Sequence, residues 1–397
     1  MTLFRIPRVL RRRLLLVLTL LLIAPVIAAC DVADQPDGWG APTPDPLEPE
    51  TQLLVPTGSD KVIAVRFIDQ TLGAAAWQFP DDDNEFPGLD EEIKPVAFYA
   101  DPVWSPWTDE WLLAGYQDGT VYAVRRDGES ARVLFRTEAR IVANLILDDD
   151  RIYIADTAYR VHAVGLEQPE QTIWTWGGDS DQQIWSAPAL VDTARGRLLV
   201  VAGLDGRVTA LRIDGDEPGS EAWRFEADAA IAGSLTAADG IVYVGGFDRV
   251  FYAIDAASGT LIWSAEGSHW FWSTPLIHEG TVFVADLRGN VYAWDARNGA
   301  SRWLSPYQAD ERIRTQPLIA ARGEGAAVLI LVSRDGTVHQ LNASDGTALR
   351  RFTVSGAKDL MADAILRDDR ILISDEDGSL YAVLLGANQA ERLWPQG

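Results

Sequence analysis

The chain has 397 residues, with 34 Lys and Arg against 58 Asp and Glu, and a formal net charge of −24 at pH 7. That acidity argues against nucleic acid or anionic lipid heads as partners, because both are held through clustered Lys and Arg. A hydrophobic content of 47% is enough for a large core, and the length fits two or three domains or one long all-β unit.

Arg5, Arg8 and Arg11 to Arg13 precede an apolar run from Leu14 to Val26. At about 13 residues the run falls short of the roughly 20 that a membrane span needs. A basic start, a short apolar centre and a small-residue exit predict a signal peptide over residues 1–29. Ile27-Ala28-Ala29-Cys30 resembles the bacterial lipobox, which implies that Cys30 is lipidated and becomes the mature N-terminus. The expected location is therefore outside the cytoplasm, on a bacterial membrane, with the domain in the periplasm or beyond the cell. Cys30 is the single cysteine, so no intramolecular disulfide is expected and the fold must rest on its core. Residues 1–29 carry five Arg and no acid, so their removal takes the formal charge from −24 to −29. Residues 30–50 follow, rich in acid and proline (Pro36, Pro42, Pro44, Pro46, Pro49), and read as an extended tether.

From residue 51 a short strand recurs. Its copies begin at Val62, Val121, Val161, Val208, Phe251, Val291, Val338 and Leu380, and most have a Tyr-Ala or His-Ala pair in the middle. Turns such as Asp118-Gly119, Asp205-Gly206, Asp335-Gly336 and Asp377-Gly378 separate this strand from an apolar one before it, a hairpin signal. A Gly-x-x-x-Trp spacing marks the next strand at Gly73 to Trp77, Gly219 to Trp223, Gly259 to Trp263 and Gly299 to Trp303. The glycine supplies a left-handed turn, and the flat indole is placed to dock on a neighbouring repeat. Leu134 and Arg350 stand in for tryptophan in two copies. Each unit opens with a further strand, among them Val103-Trp104-Ser105, Ile184-Trp185-Ser186-Ala187-Pro188, Phe271-Trp272-Ser273-Thr274-Pro275 and Ile313-Arg314-Thr315-Gln316-Pro317. Four strands per repeat of this length predict an all-β fold, a β-propeller over residues 51–397. Eight anchors give about eight four-stranded blades, with seven as the alternative, since only seven opening strands can be counted. Ring closure is expected to pair sheet edges that an open array would expose.

The Tyr-Ala strand, its turn and the Gly-x-x-x-Trp spacing resemble the pyrroloquinoline-quinone (PQQ)-like repeat. That repeat is shared by quinoprotein alcohol dehydrogenases, by the BamB lipoproteins of outer-membrane assembly and by other secreted propellers. In the dehydrogenases it implies bound PQQ, calcium, a catalytic Asp and an adjacent-cysteine disulfide; here no Cys-Cys pair is present. No catalytic residue, metal site or cofactor is therefore expected, PQQ and calcium included. His162 and His339 fall where other repeats have tyrosine and read as strand residues rather than ligands.

The opening segments converge on one mouth of the central channel. Trp104, Trp185, Trp270, Trp272 and Arg314 are accordingly the candidate binding face, since aromatics with arginine at a concave mouth are what binding hot spots use. The expectation is a non-enzymatic envelope lipoprotein, BamB-like, that binds envelope proteins or peptides and reaches the membrane through Cys30. The alternative is a small-molecule sensor or quinoprotein-like oxidoreductase using the same mouth.

Overall fold

The computed structural model describes residues 40–394, apart from 50–51, 58–60, 69–70, 82, 84, 90–96, 170, 323–325, 358, 361, 377 and 387–389. Residues 1–29, expected to be a signal peptide, and Cys30 lie outside the described residues. The rest forms eight antiparallel sheets of four strands, each built from four strands consecutive in sequence. These are the blades of an eight-bladed propeller: 43–79, 103–136, 146–177, 189–226, 236–266, 276–308, 318–353 and 365–394. Among the described residues there is no helix.

Three features differ from the sequence expectation. The first blade has its own innermost strand, Thr43–Pro44, registered against Leu54 and Leu53, inside the segment read as a tether. Asp45 fixes it: the buried carboxylate accepts from Leu47 N at 2.9 Å and pairs with Arg126 Nε of the next blade at 2.7 Å. Second, blade 8 completes the ring without sharing a strand with blade 1. Leu372, Leu380, Ala382 and Leu393 pack on Leu53, Val55 and Val65, so closure is by apolar burial and the fourth strands keep their own outer edges. Third, the segments at Ile184 and Phe271 are not strands; the innermost strands begin later, at Ala189 and Leu276. Pro188 and Pro275 bring no N–H to a ladder, and Ala187 N donates to Ser234 Oγ of the next blade at 3.1 Å, so this stretch leads into the sheet as a loop.

Between blades the Gly-x-x-x-Trp spacing acts as an interlock. The indole of one blade lies against the glycine of the next: Trp77 on Gly128, Trp174 on Gly219, Trp223 on Gly259, Trp263 on Gly299 and Trp303 on Gly346. At Gly299, φ is +71° and a Cβ would sit 2.7 Å from the Trp263 ring, so both conformation and space require glycine. In four of these five the indole N–H finds its acceptor in a carbonyl of the next blade, while Trp174 Nε1 has none among the described residues. Trp77, Trp223, Trp263 and Trp303 donate to the carbonyls of Arg126, Ala256, Ala296 and Ala343 at 2.8–3.0 Å. Where leucine replaces tryptophan, Leu134 is buried with Leu166 of blade 3, a purely apolar substitute.

The tyrosine of the repeat closes the turn between second and third strands. Tyr122, Tyr252 and Tyr292 donate to Asp118, Asp248 and Asp286 at 2.6, 2.5 and 2.9 Å. His162 takes the same place, its Nε2 lying 3.0 Å from Asp156 Oδ2, in keeping with its reading as a strand residue. Burial alone would raise the Asp156 pKa; the His162 bond and the Arg160 charge outweigh it and hold the carboxylate below the usual range.

Candidate functional site at the channel mouth

The loops from the fourth strand of one blade to the first strand of the next line a cavity of about 90 Å³ at one end of the channel. Loop residues alternate in direction before each innermost strand. One is buried between blades (Phe98, Ile141, Ile184, Ile231, Phe271, Ile313), and the next points to the channel (Tyr99, Val142, Trp185, Ala232, Trp272, Arg314). Two residues on, a second tier also reaches the channel. The repeat thus imposes two stacked rings whose chemistry each blade sets separately.

The upper ring is aromatic and carries one cation among its described members. The Arg314 guanidinium stands 4.7 Å above the Trp272 ring, and Trp185 lies 6.3 Å from Trp272 at 58°. Gln183 accepts the Trp185 indole N–H at 2.7 Å, which fixes that ring's direction. The aromatic surface continues outward: Phe247 is 5.6 Å from Trp272 and stacks on Trp270 at 4.9 Å and 11°. Beneath Trp270, the loop is held by Asp286, whose carboxylate accepts from Ser268 Oγ, His269 N, Arg288 N, Asn290 N and Tyr292 OH at 2.8–3.1 Å. Burial acts to raise the Asp286 pKa, but these donors keep it below the usual carboxylate range.

The lower ring is polar and stitched from blade to blade. Ala41 N donates to Asp101 Oδ1 at 2.5 Å, Asp101 N to Asn144 Oδ1 at 2.9 Å, and Gln316 N to Asp363 Oδ1 at 2.6 Å. Asn144 Nδ2 returns a bond to Asp101 Oδ2 at 2.7 Å. Burial pushes the Asp101 carboxyl up to about 7, with the Asp363 charge adding to the effect and the Ala41 and Asn144 bonds opposing it. Asp363 is raised to about 6 by burial, against the Gln316 bond.

Four of the five residues picked from sequence meet on this face. Trp185, Trp272 and Arg314 line the cavity, and Trp270 joins them through Phe247. Trp104 does not. It belongs to the first strand of blade 2, buried edge-to-face on Trp111 at 5.3 Å, while Tyr99, five residues earlier, holds the channel position. Val103-Trp104-Ser105 is a true innermost strand, whereas Ile184-Trp185-Ser186 is the loop before one, and aligning the two shifts the register. The lower ring was missed in the sequence. Its signal was present as the residue just before Pro or Leu in each loop: Asp101-Pro102, Asn144-Leu145, Ser234-Leu235, Thr274-Pro275 and Gln316-Pro317.

With this geometry in hand, the relatives can be compared. Residues 215–397 match a family model described as outer membrane protein assembly factor BamB. Over that stretch the chain is similar to PQQ-like β-propellers of the BamB type. BamB of Salmonella typhimurium is 27% identical over 212 residues, which is 50% of this chain and 49% of that protein, so the propeller spans about half the length of that relative. A segment is 30% identical to the serine/threonine-protein kinase AfsK of Streptomyces griseus, covering 37% of this chain and 20% of the kinase. The crystal structure of BamB from Moraxella catarrhalis overlays with a TM-score of 0.64, covering 88% of this chain and 96% of that one at 16% identity, a likeness of fold. Residues 215–397 take in blades 5 to 8, and with them Trp270, Trp272, Arg314 and Asp363.

Proposed function

We propose that the protein is a non-enzymatic envelope lipoprotein, anchored through Cys30, whose propeller binds proteins or peptides as a BamB-like scaffold. The observation that carries this reading is the aromatic collar, in which half-buried Arg314 over Trp272, Trp185 beside it, and Trp270 stacked on the buried Phe247 follow one another in contact. Preformed aromatic and arginine anchors at a concave mouth lose little side-chain entropy on binding, which is what hot spots require. The high negative charge favours partners with basic segments. The quinone-dependent alternative meets a mismatch of charge. PQQ is a flat tricarboxylate, and the cavity has two carboxylates and one guanidinium among its described lining residues. Those residues do not fit the cofactor.

The test is capture of partners from native membranes by the full chain, lipid anchor intact, with Trp272→Ala and Arg314→Ala alongside. Folding of the variants is checked by circular dichroism. Loss of the same captured proteins from both variants supports the reading. Undiminished capture by both would remove the mouth as the binding site.

A further inference from the structure

The collar is only the upper part of the cavity; its floor has a separate chemistry that the scaffold reading does not use. Asp101 and Asp363 both line the cavity, and Asp101 accepts from Ala41 N. Both Asp101 oxygens are committed, to Ala41 N and to Asn144 Nδ2. Asp363 differs: Oδ1 accepts from Gln316 N, and Oδ2 receives no hydrogen bond from any described residue. An acceptor of this strength, hemmed in by protein and left open toward a cavity, calls for a donor from outside.

The charge count says which kind. Among the described lining residues, Asp101, Asp363 and Arg314 carry charge and Tyr99 is the other titratable group, leaving one net negative charge when both carboxylates are ionised. One monocation neutralises that; a divalent ion over-compensates it beside a guanidinium. Shape narrows the class, because Trp185 offers an apolar wall for a methylene stem. An ammonium is compact with three donors, whereas a guanidinium seeks a bidentate carboxylate, and Asp101 has both oxygens taken.

We propose that the channel floor is a receptor for a single primary ammonium, the side chain of a lysine presented by a protein partner, with the stem against Trp185, the ammonium on Asp363 Oδ2 and the charge of Asp101 close by. This rests on the scaffold reading and specifies what the partner inserts. Because burial raises both carboxyls, to about 7 for Asp101 and about 6 for Asp363, the site holds its charge at pH 8 and loses it by pH 5. Arg314 and Tyr99 are the other ionisable groups on the described lining.

The experiment titrates the full chain in detergent with N-acetyl-lysine methylamide, its norleucine and arginine counterparts, and calcium chloride, by calorimetry and tryptophan fluorescence at pH 8 and pH 5. Saturable binding of the lysine amide at pH 8, weakened at least about tenfold by Asp363→Asn and at pH 5, is the expected result. Asp101→Asn with Asp363→Asn should abolish it; if that double variant does not fold, the single Asp363→Asn carries the test. Equal binding of norleucine, tighter binding of arginine, a preference for calcium, or indifference to Asp363→Asn would each overturn the proposal. Partner capture with no lysine binding retires this site and leaves the scaffold; lysine binding with no capture does the reverse.

Discussion

The interface between blades and the mouth of the channel are built from the same residue types, tryptophan, aspartate and a loop ahead of a strand, and they use them in opposite ways. Between blades, an indole is buried on a glycine, its N–H reaches a carbonyl, and the arrangement repeats from blade to blade. At the mouth, Trp185 and Trp272 are half-buried and differ from their counterparts Val142 and Ala232, and a carboxylate oxygen of Asp363 has no donor among the described residues. A repeated, fully satisfied contact serves the fold. A contact that appears in one blade only, with polar capacity left over, is where a ligand can act.

The comparison can be pressed by experiment. Trp263→Ala removes a buried interlock and should cost about 3–5 kcal/mol, read as a lower urea midpoint, whereas mouth substitutions should move it far less. Next in size, Asp286→Ala strips the acceptor shared by Ser268, Tyr292 and the loop amides. It should cost about 2–3 kcal/mol and raise hydrogen exchange in the Trp270 loop, showing that the mouth borrows rigidity from the turn chemistry.

A smaller effect with a distinctive sign is expected at Asp101. Its folded pKa lies above the ordinary carboxyl value, so the folded state holds the proton that the unfolded state has released. Its contribution is therefore favourable at low pH and is lost as pH rises through about 7. Asp101→Asn should gain stability relative to the parent at pH 8 compared with pH 5, by on the order of 1 kcal/mol after solvent screening, measured by thermal melts at both values. Smallest is a pair within the interlock itself. The Trp223 N–H reaches Ala256 O at 2.8 Å, while Trp174 Nε1 is buried without a partner among the described residues. Trp223→Phe should thus cost about 0.5–1 kcal/mol more than Trp174→Phe in urea unfolding.

The anchors from Val62 to Leu380 and the Gly-x-x-x-Trp spacing were legible because each must satisfy a neighbour related by the same geometry, so the pattern recurs at a readable interval. Trp185, Trp272 and Arg314 were legible for the same reason, being offset alike from their strands. The failures came where a repeat departs from its own pattern. Trp104 sits in a strand that resembles the neighbouring loops in letters but follows them in register, and only the pairing of Val103 with Leu112 separates the two. The short strand at Thr43 carries no periodic signal, and its place depends on the carboxylate of Asp45 meeting an arginine 81 residues away.

By itself, then, the sequence determined the architecture, an all-β ring of repeated blades joined through tryptophan and glycine, because those contacts are local and recur; the structure decided eight blades over seven by supplying the first blade's strand at Thr43. The tertiary structure alone decided how the ring closes and what meets at its axis. Closure depends on apolar faces of the first and last blades, more than 300 residues apart, coming into contact. The pairing of Asp101 with Asp363, and the cavity they share with Trp185 and Arg314, exists only because circular closure brings every loop to one axis. Several blades contribute side chains to that axis, and no single blade contains the site.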